Sequence, residues 1–366
     1  MSERLLTVAS AWLNSARWLD EHPSLPPLPL HGHRFQVSVM ADMQGLSLLQ
    51  PGGETVHLKN RLAQVLEGLD GSCLNDRIDQ PSDDALASWV SNGLEMNRLR
   101  RVAVMSTPWQ GIDHLPGQAD QAWRRYRFQA AHQLPCVPLG HKCGRMHGHG
   151  FEAVLHLSLA PGQDARSAWH ALDQAWAPWH MQLNYQTLND IEGLENPTSE
   201  MLSSWLWDKL QPALPLLASV TVYETPTSGA NFNGEQYRIW KDFSFDSATR
   251  WRHAPADSPL ARVHGHTYQL RLGICAPLDQ VMGWTLDYGD VKALFKPVFD
   301  AVDHHPLHEW SHLSDGDTGS LARWIAHQTQ AELPQIDHLV LYENAGCGSW
   351  LQLNPQAPVL PVGANE

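Results

Sequence analysis

The 366-residue sequence has few cysteines, few basic side chains beside its acidic ones, and no long apolar run. Its five cysteines, Cys73, Cys136, Cys143, Cys275 and Cys347, are odd in number and scattered, and no two form a CxxC pair. That pattern fits free thiols in a reducing cytoplasm better than a disulfide frame. Lysine and arginine number 25 against 39 acidic residues, a formal net charge of −14. A surface of that sign repels phosphate backbones and acidic membranes, so neither is expected as the main partner. An anionic substrate would need a local basic pocket. The opening stretch, MSERLLTVASAWLNSARWLDEH, is too polar for a signal peptide or a membrane span. No segment is of low complexity. The length suggests two or three domains, and the 16 tryptophans read as core and interface fillers.

What the sequence does have is a repeated tripeptide. HGH occurs at His31-Gly32-His33, His147-Gly148-His149 and His264-Gly265-His266, spaced 116 and 117 residues apart. Each copy leads into a period-2 apolar run: Phe35, Val37, Val39; then Phe151, Ala153, Leu155, Leu157; then Tyr268, Leu270, Leu272, Ile274. Alternation of this kind predicts strands with one buried face. On a strand, residues i and i+2 share a face, so His147 and His149 project side by side. That geometry suits two ligands of one metal ion, and it equally suits a polar strand edge.

Further markers keep the same period. Leu86 and Trp89, Leu202 and Trp205, and Leu321 and Trp324 each stand three apart, on one helix face. Helix-start signals precede them in QPSDD, NPTSE and DGDTGS. The apolar runs VAVMST, VTVYET and LVLYEN follow, with Ser106, Glu224 and Glu343 at their fifth places. Independent markers sharing one period define three copies of a unit of about 122 residues. Each copy reads strand, strand, helix, helix, strand, with a hairpin around HGH. The expected boundaries divide the chain into 1–121, 122–238 and 239–366.

The middle copy, with RFQAAHQL, CGRMHGHGF, LND, NPTSEML and VYET, resembles the 6-pyruvoyl- and 6-carboxy-tetrahydropterin synthase family. The likeness covers the middle copy fully, the third well and the first weakly. It implies an α+β tunnelling fold, in which antiparallel strands backed by two helices per unit close into a twelve-stranded barrel. Single units of the family assemble as trimers, so three fused units imply a pseudo-trimeric ring within one chain. It also implies a face-to-face homodimer of such rings.

The same resemblance implies Zn²⁺ on His132, His147 and His149, a set with an open position for substrate oxygens. Alignment of the first strands puts Trp12 and Thr249 at the place of His132, so the other copies are expected to bind no metal tightly. Cys143, four residues before His147, has the spacing of the 6-carboxy branch and is the expected base. Pro27 and Leu260 stand at that place elsewhere. Cys136, beside Pro135, reads as packing. The family's Asp-His proton pair survives only as Asp303-His304 in the third copy. Leu69-Asp70-Gly71 and Leu183-Asn184-Tyr185 replace it in the others.

Glu224 matches the carboxylate that grips the pterin edge. Thr198 and Glu200 match the helix start beside the pterin, and Glu200 also fits a capping box. The expectation is therefore a zinc lyase of the 6-carboxy type acting on 7,8-dihydroneopterin triphosphate, in one composite site between the second and third copies. Two alternatives stay open: a zinc-containing pterin- or purine-binding protein with little catalysis, and the 6-pyruvoyl reaction.

Overall fold

The computed structural model describes residues 3–20, 25–43, 53–313 and 315–354. The first copy contains β1 (Arg4–Leu19), β2 (Leu28–Ala41), α1 (Glu54–Glu67), α2 (Asp83–Leu94), β3 (Leu99–Thr107) and β4 (Gln110–His114). The second contains β5 (Gln121–His132), β6 (His147–Ser158), α3 (Ala165–Leu183), the two-residue β7 (Gln186–Thr187), α4 (Ser199–Leu210), β8 (Leu217–Thr225) and β9 (Ser228–Phe232). The third contains β10 (Tyr237–Thr249), β11 (His264–Cys275), α5 (Tyr288–Val302), α6 (Thr318–Thr329), β12 (Ile336–Asn344) and β13 (Cys347–Gln352). The boundary expected at 239 falls inside β10.

The strands run β4-β3-β2-β1-β13-β12-β11-β10-β9-β8-β6-β5, and β4 pairs with β5 to complete the circle. Closure leaves none of these twelve strands with an unpaired edge. β7 lies outside the ring, parallel to β5. Two junctions between copies are continuous in sequence, through β4–β5 and β9–β10. The third is the ladder between β1 and β13, from Arg4 opposite Gln352 to Val8 opposite Gly348.

The alternating pattern explains both faces of the wall. Phe35, Val37 and Val39 pack outward with Leu58, Leu62 and Leu66 of α1, four residues apart on one helix stripe. The opposite face of the strands carries Val154, Trp123, Tyr223 and Trp240 in one cluster. It also holds buried ion pairs, among them Arg101 with Asp113 and Arg238 with Asp337. The helix-start signals work as expected: Ser82, Thr198 and Asp317 accept from the backbone N–H groups of Ala85, Met201 and Ser320.

Two sequence expectations need correction. Each copy has a fourth strand, β4, β9 or β13, that the period-2 reading missed. QGIDH and SGANF are five residues long and carry glycine, so alternation has no room to show. HGH does not form a hairpin turn; in every copy it lies within the opening residues of the second strand, after a longer connection.

Candidate metal centre

The β5–β6 register puts His132 directly opposite His147, with His149 opposite Ala130. The three imidazoles therefore meet at one end of a single ladder. Their ring centroids are 4.5 Å (His132–His147), 5.3 Å (His132–His149) and 5.1 Å (His147–His149) apart. Nδ1 of His132 lies 3.0 Å from the Pro197 carbonyl, and Nδ1 of His147 lies 2.7 Å from the Arg145 carbonyl. A carbonyl can only accept, so these rings donate from Nδ1 and present Nε2 as a lone pair. Nε2 of His132 is buried without a hydrogen-bond partner. Glu224, on β8, brings Oε1 to 3.3 Å from His149 Nε2.

Ligand atoms of His132, His147, His149 and Glu224 all lie within 4.8 Å of one another. Among the described residues, no other group of histidine, cysteine and acidic side chains converges in this way. Orphaned lone pairs around one point, with a carboxylate beside them, fit a divalent cation such as zinc. Burial lowers the pKa of His132 below the ordinary histidine value, which keeps the ring in its ligating form. Burial pushes the Glu224 carboxyl up, but His149 and the other two imidazoles outweigh it and hold the pKa down. Sequence reading gave Glu224 to the substrate alone; its distance to His149 also places it among the possible ligands.

Cys143 sits on a short helical turn, Lys142–Gly144, and is partly buried. Burial pushes its thiol up; Glu224 adds to that, Lys142 opposes it and Asp287 adds again. Cys136, expected to pack, is exposed.

The third copy covers this corner with the segment before α5. Asn196 donates to the Met282 carbonyl at 2.7 Å, and the Thr198 hydroxyl donates to the Gly283 carbonyl. Glu200 Oε1 accepts from the Thr285 N–H at 2.8 Å and from its hydroxyl at 3.1 Å. The Ser199 hydroxyl lies 3.2 Å from the Tyr288 hydroxyl and 3.4 Å from Glu224 Oε2. Thr198 and Glu200 are thus buried fasteners between copies. Glu200 is not a capping-box residue, because Met201 occupies the third helical place after the Thr198 cap. Burial pushes the Glu200 carboxyl up to about 7 against the opposing hydrogen bonds of Thr285.

Asp303 and His304 are brought together, with His304 Nδ1 2.9 Å from Asp303 Oδ2, but on an exposed rim where the His304 side chain is 75% accessible. Their other hydrogen bonds stay within their own copy, to Asp246 of the first strand and to the Phe299 carbonyl of α5. Among the described residues, neither touches a residue of the middle corner. The position has a structural task in every copy. Asp70, Asn184 and Asp303 accept from the backbone N–H groups of Asn14, Gln129 and Asp246 at 2.9, 2.9 and 3.0 Å. The next residues, Gly71, Tyr185 and His304, all have positive φ, 71°, 60° and 59°. An acceptor side chain followed by a left-handed residue pins the helix end to the first strand.

The remaining corners differ. In the first, the register sets Arg17 opposite His31, while Trp12 pairs with Gln36. The register thus places Arg17, five residues beyond the expected Trp12, at the position of His132. Buried Arg17 meets Asp83 at 2.7 Å and donates to the Pro81 carbonyl at 2.8 Å. In the third, Thr249 stands opposite His264 as expected. Burial, with a smaller push from Asp317, raises its Glu343 carboxyl to about 7.

A closed ring of twelve antiparallel strands, backed by helices and with a histidine-carboxylate corner at one strand end, defines a tunnelling-fold protein. The chain belongs to the 6-pyruvoyl tetrahydropterin synthase family, whose model matches residues 121–235 and 238–354. It is 36% identical over 118 residues to the 6-carboxy-5,6,7,8-tetrahydropterin synthase of Synechocystis sp., covering 30% of this chain and 90% of that protein. The 6-pyruvoyl tetrahydropterin synthase of Caenorhabditis elegans aligns with 31% of this chain and 92% of its own, at 17% identity and a TM-score of 0.29. A urate oxidase from Bacillus sp. TB-90 aligns over 60% of this chain and 87% of its own, at 7% identity and a TM-score of 0.31.

Proposed function

We propose that the protein is a zinc-dependent pterin synthase of the 6-carboxy type, acting on 7,8-dihydroneopterin triphosphate at one corner per chain. The observation that carries this reading is the converging set of His132, His147, His149 and Glu224, the one such set among the described residues, with Cys143 close enough to feel the Glu224 charge. Zinc held there would supply Lewis acidity toward the hydroxyls of the substrate's side chain. Glu224 offers a carboxylate to the N–H edge of the pterin from the same side. Cys143 is the base that takes the side-chain proton, and triphosphate leaves by elimination. The 6-carboxy reaction also releases acetaldehyde, and its product feeds deazapurine synthesis of the queuosine type. The short CxxxHGH spacing supports this branch over the 6-pyruvoyl one.

Asp303 and His304 are assigned as the second proton-moving pair, presented to the pocket of a second ring. Their exposure supports this, as do Leu30, Met146 and Val263, which precede the three HGH copies on one rim and are 65%, 51% and 57% exposed. Equivalent apolar residues around a rim suit a face-to-face homodimer. The unpaired cysteines support a cytoplasmic location. Among the described residues, no helix is long and apolar enough to cross a membrane.

Incubation with 7,8-dihydroneopterin triphosphate, with products identified by mass, tests the reading. A 6-carboxy product and acetaldehyde are expected. A 6-pyruvoyl product would move the protein to the sister branch, and binding without turnover would make it a pterin-binding protein. Mixing a Cys143→Ala chain with a His304→Ala chain should restore part of the activity if the pair acts across rings. No restoration would return the pair to its own chain.

A further inference from the structure

The middle corner contains an Asp-His couple other than Asp303-His304. His141, two residues before Cys143, brings Nε2 to 3.5 Å from Oδ2 of Asp287 in the third copy. Its Nδ1 accepts from the Cys143 backbone N–H at 3.3 Å. With Nδ1 accepting, Nε2 is the nitrogen left to carry the ring proton, on the side where Asp287 lies. The other oxygen of Asp287 caps α5, accepting from the Gly289 and Asp290 N–H groups at 2.6 and 3.2 Å. The Trp284 ring closes over His141, with centroids 5.9 Å apart.

The turn alone does not require histidine. In the third copy Ser258 occupies the same place and accepts from the Leu260 N–H at 3.2 Å, giving an equivalent short helical turn. A serine can cap this turn but cannot extend beyond it. The extra reach of His141 goes across the junction to the capping residue of the neighbouring copy's helix.

We propose that His141 is a positioning residue for Cys143, tying the cysteine's turn to the start of α5 through Asp287. The reaction site is then held by two copies at once, and the proton-accepting sulfur is oriented by a contact that exists only when both are docked. This inference rests on the assignment of Cys143 as base, but its central test does not require turnover. A misplacement of about 1 Å at a reacting atom can cost ~10²-fold in rate.

Three variants separate the link from the turn. His141→Asn keeps an acceptor for the Cys143 N–H but falls short of Asp287. Asp287→Asn keeps the helix cap, since asparagine caps as well as aspartate, but removes the charge. His141→Ala removes both contacts. The primary readout is the iodoacetamide alkylation rate of Cys143 in metal-stripped protein, followed by peptide mass. We expect each of the three to change that rate severalfold. In the metal-loaded enzyme, each should lower kcat by ~10²-fold with KM within about twofold and metal content unchanged. The double variant His141→Asn/Asp287→Asn should match either single one. Wild-type alkylation and kcat in His141→Asn would overturn the proposal by showing that the turn alone matters. An alkylation change in a wild type without turnover would uphold the link and reject the catalytic reading instead.

Discussion

Opposite the first histidine of HGH, the middle copy carries His132 and the first copy carries Arg17. Both side chains donate to the carbonyl of the proline that leads the second helix, Pro197 in one case and Pro81 in the other. From there the corners diverge. The middle corner turns lone pairs and a carboxylate toward one centre that suits a metal ion. The first has a guanidinium in the place of the third ligand, paired with Asp83, so its positive charge is part of the chain. The lesson is that the same strand position can serve a buried acidic corner either with an imidazole lone pair or with an internal cation. The third corner shows the alternative, with Thr249 in the ligand's place and a nearby Glu343 whose carboxyl is pushed up to about 7.

The sharpest way to break this comparison is to remove the chemistry from the middle corner. His147→Ala should take the metal content from about one ion per chain to near zero by elemental analysis, as expected for losing one of three imidazoles. Cys143→Ala should keep the metal and lose about 10²–10⁴-fold in turnover. Three ions per wild-type chain would refute the single-site reading.

Arg17→Ala should act on stability. It strands the Asp83 carboxylate in a buried place, a loss of about 3–5 kcal/mol in urea unfolding. Arg17→Ala/Asp83→Ala should recover part of that loss, and metal content should stay the same. Equal stability of wild type and Arg17→Ala would show that the pair does not stand in for a cation. Arg17→His sharpens the same point. It completes three imidazoles opposite Asp83, and metal content should rise from about one to about two ions per chain.

The smallest effect concerns pH. The folded pKa of Glu343, about 7, exceeds its ordinary value of 4.5, so the folded protein holds this proton more tightly than the unfolded chain does. Its effect on stability is therefore neutral below pH 4.5 and grows unfavourable as pH rises toward 7. Glu343→Gln should flatten that decline in thermal unfolding scans between pH 5 and 7. An unchanged slope would place the titration elsewhere.

Much of this was legible in the sequence, for reasons that also explain what was not. HGH followed by alternating apolar residues is a local pattern, so the second strands and their shared period could be read directly. The ligand set needed one cross-strand register, and in the middle copy the likeness to known motifs supplied it. In the first copy no such motif fixes the first strand, so Arg17 emerges only from the register that sets it opposite His31. Contacts that join distant segments left no local trace. Glu200 meets Thr285, and His141 meets Asp287, across stretches that share no periodicity. Asp303 was legible as a retained residue, but retention reflects its bond to the Asp246 backbone as well as any chemistry.

The circle of strands is written three times along one polypeptide, and heredity acts on it accordingly. In a ring of three identical chains, one codon governs three corners, and any substitution falls on all of them together. Here each corner has its own codons. An arginine could enter one, a threonine another, and the histidines persist in the third, without a step at which every pocket failed at once.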